Sequence, residues 1–259
     1  MSAPTRPTIV LIPGAFHPAT CYELLLPHLH ALSFPTRSIA PPSLNAPPPS
    51  LVAVAEDAAF IRDTILQPLL DEGKDVVLFA HSYSGVPACA APLGMSRTTR
   101  RRKGEEGGVI GVVCLAAFLV REGEEALVAL GGGDPVALRR DHPAPNLSTF
   151  SQPERFYHDV PRPLAATFIS TLLPHSYLAF HSPSPKPAFL EEDFTGRFAY
   201  IKCTEDVPVS FARQEELIRG TGVGWVERSI ESGHSPFANR PEELAGIMGE
   251  VVAVFEGVE

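Results

Sequence analysis

Two hydrophobic patterns alternate along the chain. TIVLI at 8–12, KDVVLFA at 74–80, VIGVVCLAAF at 109–118 and FAYIKC at 198–203 are nearly continuous apolar runs. Runs of that kind have no polar face and predict strands buried on both sides of a parallel sheet. PTRSIA at 35–40 and GWVERSI at 224–230 predict two more strands. Between them, CYELLLPHLHAL at 21–32 has helical spacing, and Val54, Ala55, Ala58, Ile61, Ile65 and Leu69 recur at three and four residues, which predicts one buried helix face. PPSLNAPPPS at 41–50 breaks any regular element, because its prolines lack the backbone donor. A last helix starts near Pro241. Strands alternating with helices predict an α/β fold, a doubly wound parallel sheet with ligands at the carboxyl ends of its strands.

One stretch departs from the alternation. Residues 119–195 hold GGGDP, DHPAP, VPRP and HSPSPKP, with short helical pieces such as PLAATFISTLL at 163–173 and no clear strand. An irregular excursion of that size inside a compact domain reads as a functional cover. The expected organisation is therefore a core of 1–118 and 196–259 with a largely helical cap inserted at 119–195.

Composition adds mainly exclusions. With 259 residues, 44% of them hydrophobic, the chain suits one α/β domain with a large core. A formal charge of -9 argues against a nucleic-acid surface, and the basic run RTTRRRK at 97–103 is followed at once by Glu105 and Glu106, which predicts a solvated loop. Cys21, Cys89, Cys114 and Cys203 are widely separated and form neither a C-x-x-C pair nor a disulfide framework, so reduced core thiols are expected. The apolar run ahead of Pro13 is about five residues, too short for a signal-peptide core or a membrane span. A soluble, cytoplasmic protein that binds no membrane follows as an expectation. No ligand cluster implies a metal, and GGGD at 131–134 does not follow a strand, so no cofactor is implied.

The chemistry gathers at strand ends. FAHSYSGV at 79–86 sets two serines at the end of an apolar strand and runs on into the helix-capable VPACAAPL. A nucleophile elbow needs small residues two before and two after the nucleophile, since the strained turn brings backbones close together. Ala80 and Ser84 meet that need for Ser82, whereas Val86 would be a poor flank for Ser84. Both glycines of the G-x-S-x-G pattern are replaced, and Gly85 falls one place too late to count in it.

A serine hydroxyl is a weak nucleophile until a base takes its proton, and an acid must orient that base. TED after the FAYIKC strand offers Asp206, with Glu205 as the alternative acid, and ESGHSPF after the last strand offers His234. An oxyanion hole needs one backbone N–H from the residue after the nucleophile, Tyr83, and another from a loop after an earlier strand. In PGAFHP at 13–18, Gly14 permits close approach, and Ala15 or Phe16 can turn its N–H inward.

IVLIPGAFHPATCYELLLPHL, FAHSYSG, VVCLAAF, YIKCTED and SGHSPF together resemble the α/β-hydrolase superfamily, in particular the branch holding plant methylesterases and hydroxynitrile lyases with their microbial relatives. The likeness covers the core nearly end to end and the 119–195 segment only loosely. It implies a six-stranded, mostly parallel core flanked by helices, a triad of Ser82, Asp206 and His234, and Ala15 with Tyr83 as oxyanion donors. Pro13 replaces the histidine usual before the oxyanion-loop glycine. The cyanohydrin lyases of that branch carry a lysine after the catalytic histidine and a threonine in the oxyanion loop, where this chain has Ser235 and Ala15. The expected activity is therefore hydrolysis of an ester of a small, mostly apolar metabolite. Its alternatives are a lactone, thioester or carbon–carbon bond hydrolase or lyase, or a ligand-binding protein of hydrolase fold.

Other polar and aromatic residues receive lesser roles. Phe16, His17, Phe156, Tyr157 and Phe180 are candidates for the substrate pocket, with His17 expected at the surface or the pocket rim, and Phe150, Phe168 and Tyr177 serve either that pocket or the cap's own core. His81 is expected to pack or hydrogen-bond beneath the elbow. Tyr157, His158 and Asp159 form a cluster to which the sequence gives no partner. The expected partner is a small-molecule substrate, and the oligomeric state, a homodimer included, stays open.

Overall fold

The computed structural model describes residues 6–47, 51–132, 138–140 and 147–258. The first apolar run forms β1 (Thr8–Ile12), buried at every position, which pairs in parallel with β2 (Thr36–Ser38) and with β3 (Asp75–His81). β4 (Gly108–Leu115) is buried throughout and pairs with β3. Three short strands follow, β5 (Leu138–Arg139), β6 (Leu147–Phe150) and β7 (His175–Ser176), before β8 (Phe198–Cys203) and β9 (Val226–Ile230) complete the main sheet. Its six strands are all parallel, in the order β2-β1-β3-β4-β8-β9. The order runs outward in opposite directions from the β1–β3 pair, so a crevice opens at the carboxyl ends of those two strands.

Helices cover the sheet where the spacing predicts them, with local adjustments at prolines. The run at 21–32 divides into a 3-10 turn, Ala19–Tyr22, and a helix, Leu26–Ala31, whose Pro27 lies in the first turn, where a missing N–H leaves no bond unmade. Val54–Phe60 continues through a π turn, Ile61–Leu66, into Gln67–Asp71. Pro68 has no N–H for the carbonyl four residues back, and the preceding Gln67 N–H reaches five residues back to Arg62 O. Of the expected buried face, Val54, Ala58, Ile61, Ile65 and Leu69 are buried, but Ala55 is exposed and Asp57 is buried in its stead. The last helix, Pro241–Gly257, lays Phe255 over Gly111 of β4, where a side chain would collide with the ring.

Residues 119–195 hold the expected helical pieces and, in addition, strands that the sequence does not suggest. β5, β6 and β7 form a small antiparallel sheet, alongside the helices Arg162–Ser170 and Tyr177–His181. Strands of two to four residues are too short to show a period, which is why the sequence suggests none. DHPAP at 141–145 and part of GGGDP lie outside the described residues. The basic run is likewise a helix, Arg97–Arg102, capped by Ser96. Its Arg100 is buried and donates to the carbonyls of Leu70, Glu106 and Gly107, so it ties loops together rather than facing solvent. All four cysteines are free and buried. No helix among the described residues is long and apolar enough to cross a membrane.

Candidate active site

β3 ends in a sharp turn. Ser82 sits at φ 53, a left-handed backbone that a side chain enters at a cost of about 1–2 kcal/mol, and the chain then passes through a 3-10 turn into the helix Gly85–Ala90. The turn separates the two serines. Ser82 faces a cavity it shares with Ala15 and Tyr83, whereas Ser84 is fully buried and donates its hydroxyl to Pro13 O, fastening the elbow to the loop after β1. Gly85, outside the sequence motif, proves necessary for packing: a Cβ there would lie 2.5 Å from Phe118 O and 2.8 Å from Ala117 Cβ. The elbow can therefore press on the end of β4, where Phe118 N–H donates to Ser82 O at 2.9 Å.

The loops after β8 and β9 bring an acid to a base. His234 Nδ1–H donates to Asp206 Oδ2 at 2.7 Å, both side chains being closed off from solvent, and Asp206 Oδ1 accepts the Val209 N–H at 2.7 Å. Glu205, the alternative acid, is exposed. With Nδ1 engaged as donor, the neutral ring keeps its lone pair on Nε2, which is buried and has no hydrogen-bond partner. His81 lies beneath the elbow as expected, its Nε2–H donating to His234 O at 2.9 Å with the two rings 4.5 Å apart. The residue before Ser82 thus fastens the residue that carries the base.

Gly14 brings the loop after β1 against this pair. A Cβ at Gly14 would stand 2.8 Å from Ser82 Cβ and 2.9 Å from His81 Nδ1. Beyond Ala15, Phe16 adopts φ 70 and turns its ring into the cavity. His17 is not at a rim: it is buried, donates from Nδ1 to Ala15 O at 2.7 Å, and its ring lies 5.1 Å from Phe156. Burial lowers its pKa to about 4, lowers that of His175 to about 3, and holds His81 well below the ordinary histidine value. These neighbours are neutral near pH 7, so none of them opposes a positive charge forming on His234.

Tyr83 is held from below. Its hydroxyl donates to Asp57 Oδ2 at 2.7 Å, and Asp57 also accepts from the Ser43 N–H at 3.0 Å and the Ser43 hydroxyl at 2.6 Å. Burial raises the Asp57 carboxyl to about 6 in spite of these bonds. Sequence reasoning passes over Asp57, although one signal was present: it stands three residues after Val54 and four before Ile61, on the apolar face.

The 119–195 segment also reaches the site. Asp159 Oδ2 accepts from the Gly233 N–H at 2.7 Å, the Ser232 hydroxyl at 3.0 Å and Asn239 Nδ2 at 3.0 Å, while His158 Nε2–H donates to Glu205 O at 2.9 Å. The cluster to which the sequence gives no partner thus grips both the acid loop and the base loop. Above Ser82, a cavity of about 210 Å³ has Phe16, Phe156 and Phe180 in its walls, together with Phe118, Leu127, Leu130, Phe150 and Arg155. Tyr157 and His17 do not line it. They are buried behind Phe156, where Tyr157 stacks on Phe168 at 5.4 Å. Tyr177 packs on His181.

A model of the alpha/beta hydrolase family matches residues 9–247. The chain belongs to this family. Probable hydrolase R7 of Phoma sp. (strain ATCC 20986 / MF5453) is 29% identical over 256 residues, covering 96% of this chain and 100% of that protein. Alpha/beta hydrolase nvfD of Aspergillus novofumigatus (strain IBT 16806) is 29% identical over 241 residues, covering 92% of this chain and 93% of that one. The solved structure of the methylesterase MES16 from Arabidopsis matches with a TM-score of 0.66 at 21% identity, over 95% of this chain and 99% of that chain, a likeness of fold. The expected resemblance, plant methylesterase neighbours included, is met.

Proposed function

We propose that the protein is a serine hydrolase that cleaves esters of small, mostly apolar molecules through Ser82, His234 and Asp206. The observation that carries this reading is the buried 2.7 Å bond from His234 Nδ1 to Asp206, which leaves Nε2 unpartnered at the same end of the sheet where a serine is held at positive φ over a cavity. Nε2 takes the Ser82 proton as Oγ attacks the ester carbonyl, and the N–H groups of Ala15 and Tyr83 hold the developing oxyanion. The intermediate then collapses to an acyl-enzyme while His234 gives its proton to the leaving alcohol. Water repeats the cycle, His234 removing its proton, and the acid departs. Asp206 stays ionised and holds the imidazole in the required tautomer. Residues 119–195 act as the cap, a role supported by Leu127, Leu130, Phe150, Phe156 and Phe180 in the cavity wall. The ester preference is supported by the methylesterase neighbour and by Ser235 directly after the base, which offers no cation for a departing cyanide.

Fluorophosphonate labelling with peptide mapping tests the reading, run beside p-nitrophenyl ester turnover on wild type, Ser82→Ala and Ser84→Ala. Labelling at Ser82 and loss of both signals in Ser82→Ala are expected. Turnover surviving in Ser82→Ala and lost in Ser84→Ala would overturn the assignment, as would a folded wild type that neither labels nor turns over.

A further inference from the structure

Arg155 is the one charged side chain among the described residues lining the cavity above Ser82. Its Nη2 donates to Val207 O at 3.2 Å and its Nη1 to Gln152 Oε1 at 3.3 Å. Pro208, next after the first of these acceptors, lines the same cavity, so the half-buried Arg155 stands in the cavity wall with part of its side chain in solvent. Both acceptors are neutral and both bonds are long, and among the described residues no carboxylate pairs with this cation. A guanidinium has more donors than these two bonds use, in a planar fork that matches a carboxylate. The donors that these two bonds do not use stand at the boundary between the cavity and solvent, where an anion entering the cavity can meet them. Phe150 stacks on Phe156 at 4.7 Å, and Phe16 lies 5.8 Å from Phe150 and 6.0 Å from Phe180, so the remaining wall is aromatic. The chain's net charge of -9 repels anions at long range, which leaves a local cation to admit one.

We infer that Arg155 binds an anionic group of the substrate, so that the natural ester carries a second, ionised carboxylate on an apolar or aromatic body. The inference rests on the ester-hydrolase reading for its reaction but not for its binding site. The carboxylate lies against Arg155, the body against the phenylalanines, and the ester carbonyl over Ser82.

Two measurements on wild type, Arg155→Gln and Arg155→Lys test it, with thermal melts to establish folding. First, kcat/KM is compared for mono-p-nitrophenyl glutarate and neutral p-nitrophenyl butyrate. Arg155→Gln should lose roughly 10- to 100-fold more on the glutarate than on the butyrate, with Arg155→Lys in between. Second, calorimetric titration with 3-phenylpropionate and with its neutral amide requires no turnover. Wild type should bind the acid more tightly than the amide, and Arg155→Gln should lose that difference. Equal losses on both esters, or equal binding of acid and amide by wild type, overturns the inference. If wild type cleaves neither ester yet binds the acid through Arg155, the ester reading fails while the anion site stands.

Discussion

Asp159 Oδ2 accepts the N–H of Gly233, the residue before His234, at 2.7 Å. The same oxygen holds Ser232 and Asn239, so one carboxylate from the 119–195 segment fixes both flanks of the base. Asp159→Ala should lower stability by about 1–3 kcal/mol, because donors that met a charged acceptor lose it. In turnover assays kcat should fall roughly tenfold or more with little change in KM, since the imidazole and not the cavity is disturbed. Asp159→Asn keeps an acceptor oxygen and should recover much of both losses. Equal kcat in wild type and Asp159→Ala would show that the base loop holds its position unaided.

Buried titratable groups predict opposing pH dependences. Asp57 ionises at about 6 in the fold against an ordinary 3.8, so the native protein keeps a proton that the unfolded chain releases. Its stabilisation is complete below about 3.8 and is lost as pH rises through about 6. His17, lowered to about 4, behaves in the opposite sense, because below 6.5 the unfolded chain takes up a proton that the fold refuses. Urea unfolding from pH 4 to 8 should therefore show Asp57→Asn gaining stability relative to wild type, on the order of 3 kcal/mol across the range. Parallel curves for the two proteins would mean that Asp57 titrates normally.

Two glycines should tolerate no side chain, for different reasons. Gly85→Ala sets a methyl 2.5 Å from the Phe118 carbonyl oxygen and should cost about 1–3 kcal/mol of stability. Gly14→Ala meets Ser82 Cβ at 2.8 Å and His81 Nδ1 at 2.9 Å, so it pushes the loop after β1 away from Ser82. Its loss should register in kcat, by roughly 100-fold, the size expected when an oxyanion donor is misplaced. Thermal melts beside ester assays separate the two effects.

The neighbouring acids should part sharply. Asp206→Asn leaves the shape of the site but offers the imidazole the wrong partner, and kcat should drop by roughly 10⁴-fold. Glu205→Gln alters an exposed side chain whose contribution to the site is its backbone, and turnover should stay within about twofold. A larger effect from Glu205 than from Asp206 would reassign the acid.

The central core strands are legible because their apolar runs are rich in β-branched residues and bounded by proline or glycine, as TIVLI and VIGVVCLAAF are. The placement of Ser82, Asp206 and His234 at one end of the sheet is legible for a related reason, since each comes shortly after an expected strand and a parallel sheet sends all those ends to one side. What the sequence hides depends on contacts between distant segments. Asp159 meets Gly233 across 74 positions, and Arg155 meets Val207 across 52, separations that no local period encodes. His17 reads as a rim residue because polarity suggests exposure, whereas its burial is tolerated through a bond to the carbonyl of Ala15 two residues away. β6 escapes notice because four residues, LSTF, hold too little pattern.

The grip of His158 and Asp159 on the two loops also bears on how such a protein can diversify. A substrate-facing segment that only rested on the core could be transplanted between relatives, its aromatic walls traded for others at no cost to the proton-moving groups. Here the exchange is not free. A chimera that imports a foreign 119–195 segment without an acceptor placed like Asp159 leaves the Gly233 N–H and the Asn239 amide without the oxygen that now holds them. Recombination in this chain therefore tends to keep the shape of the cavity and the position of the base as one inherited unit.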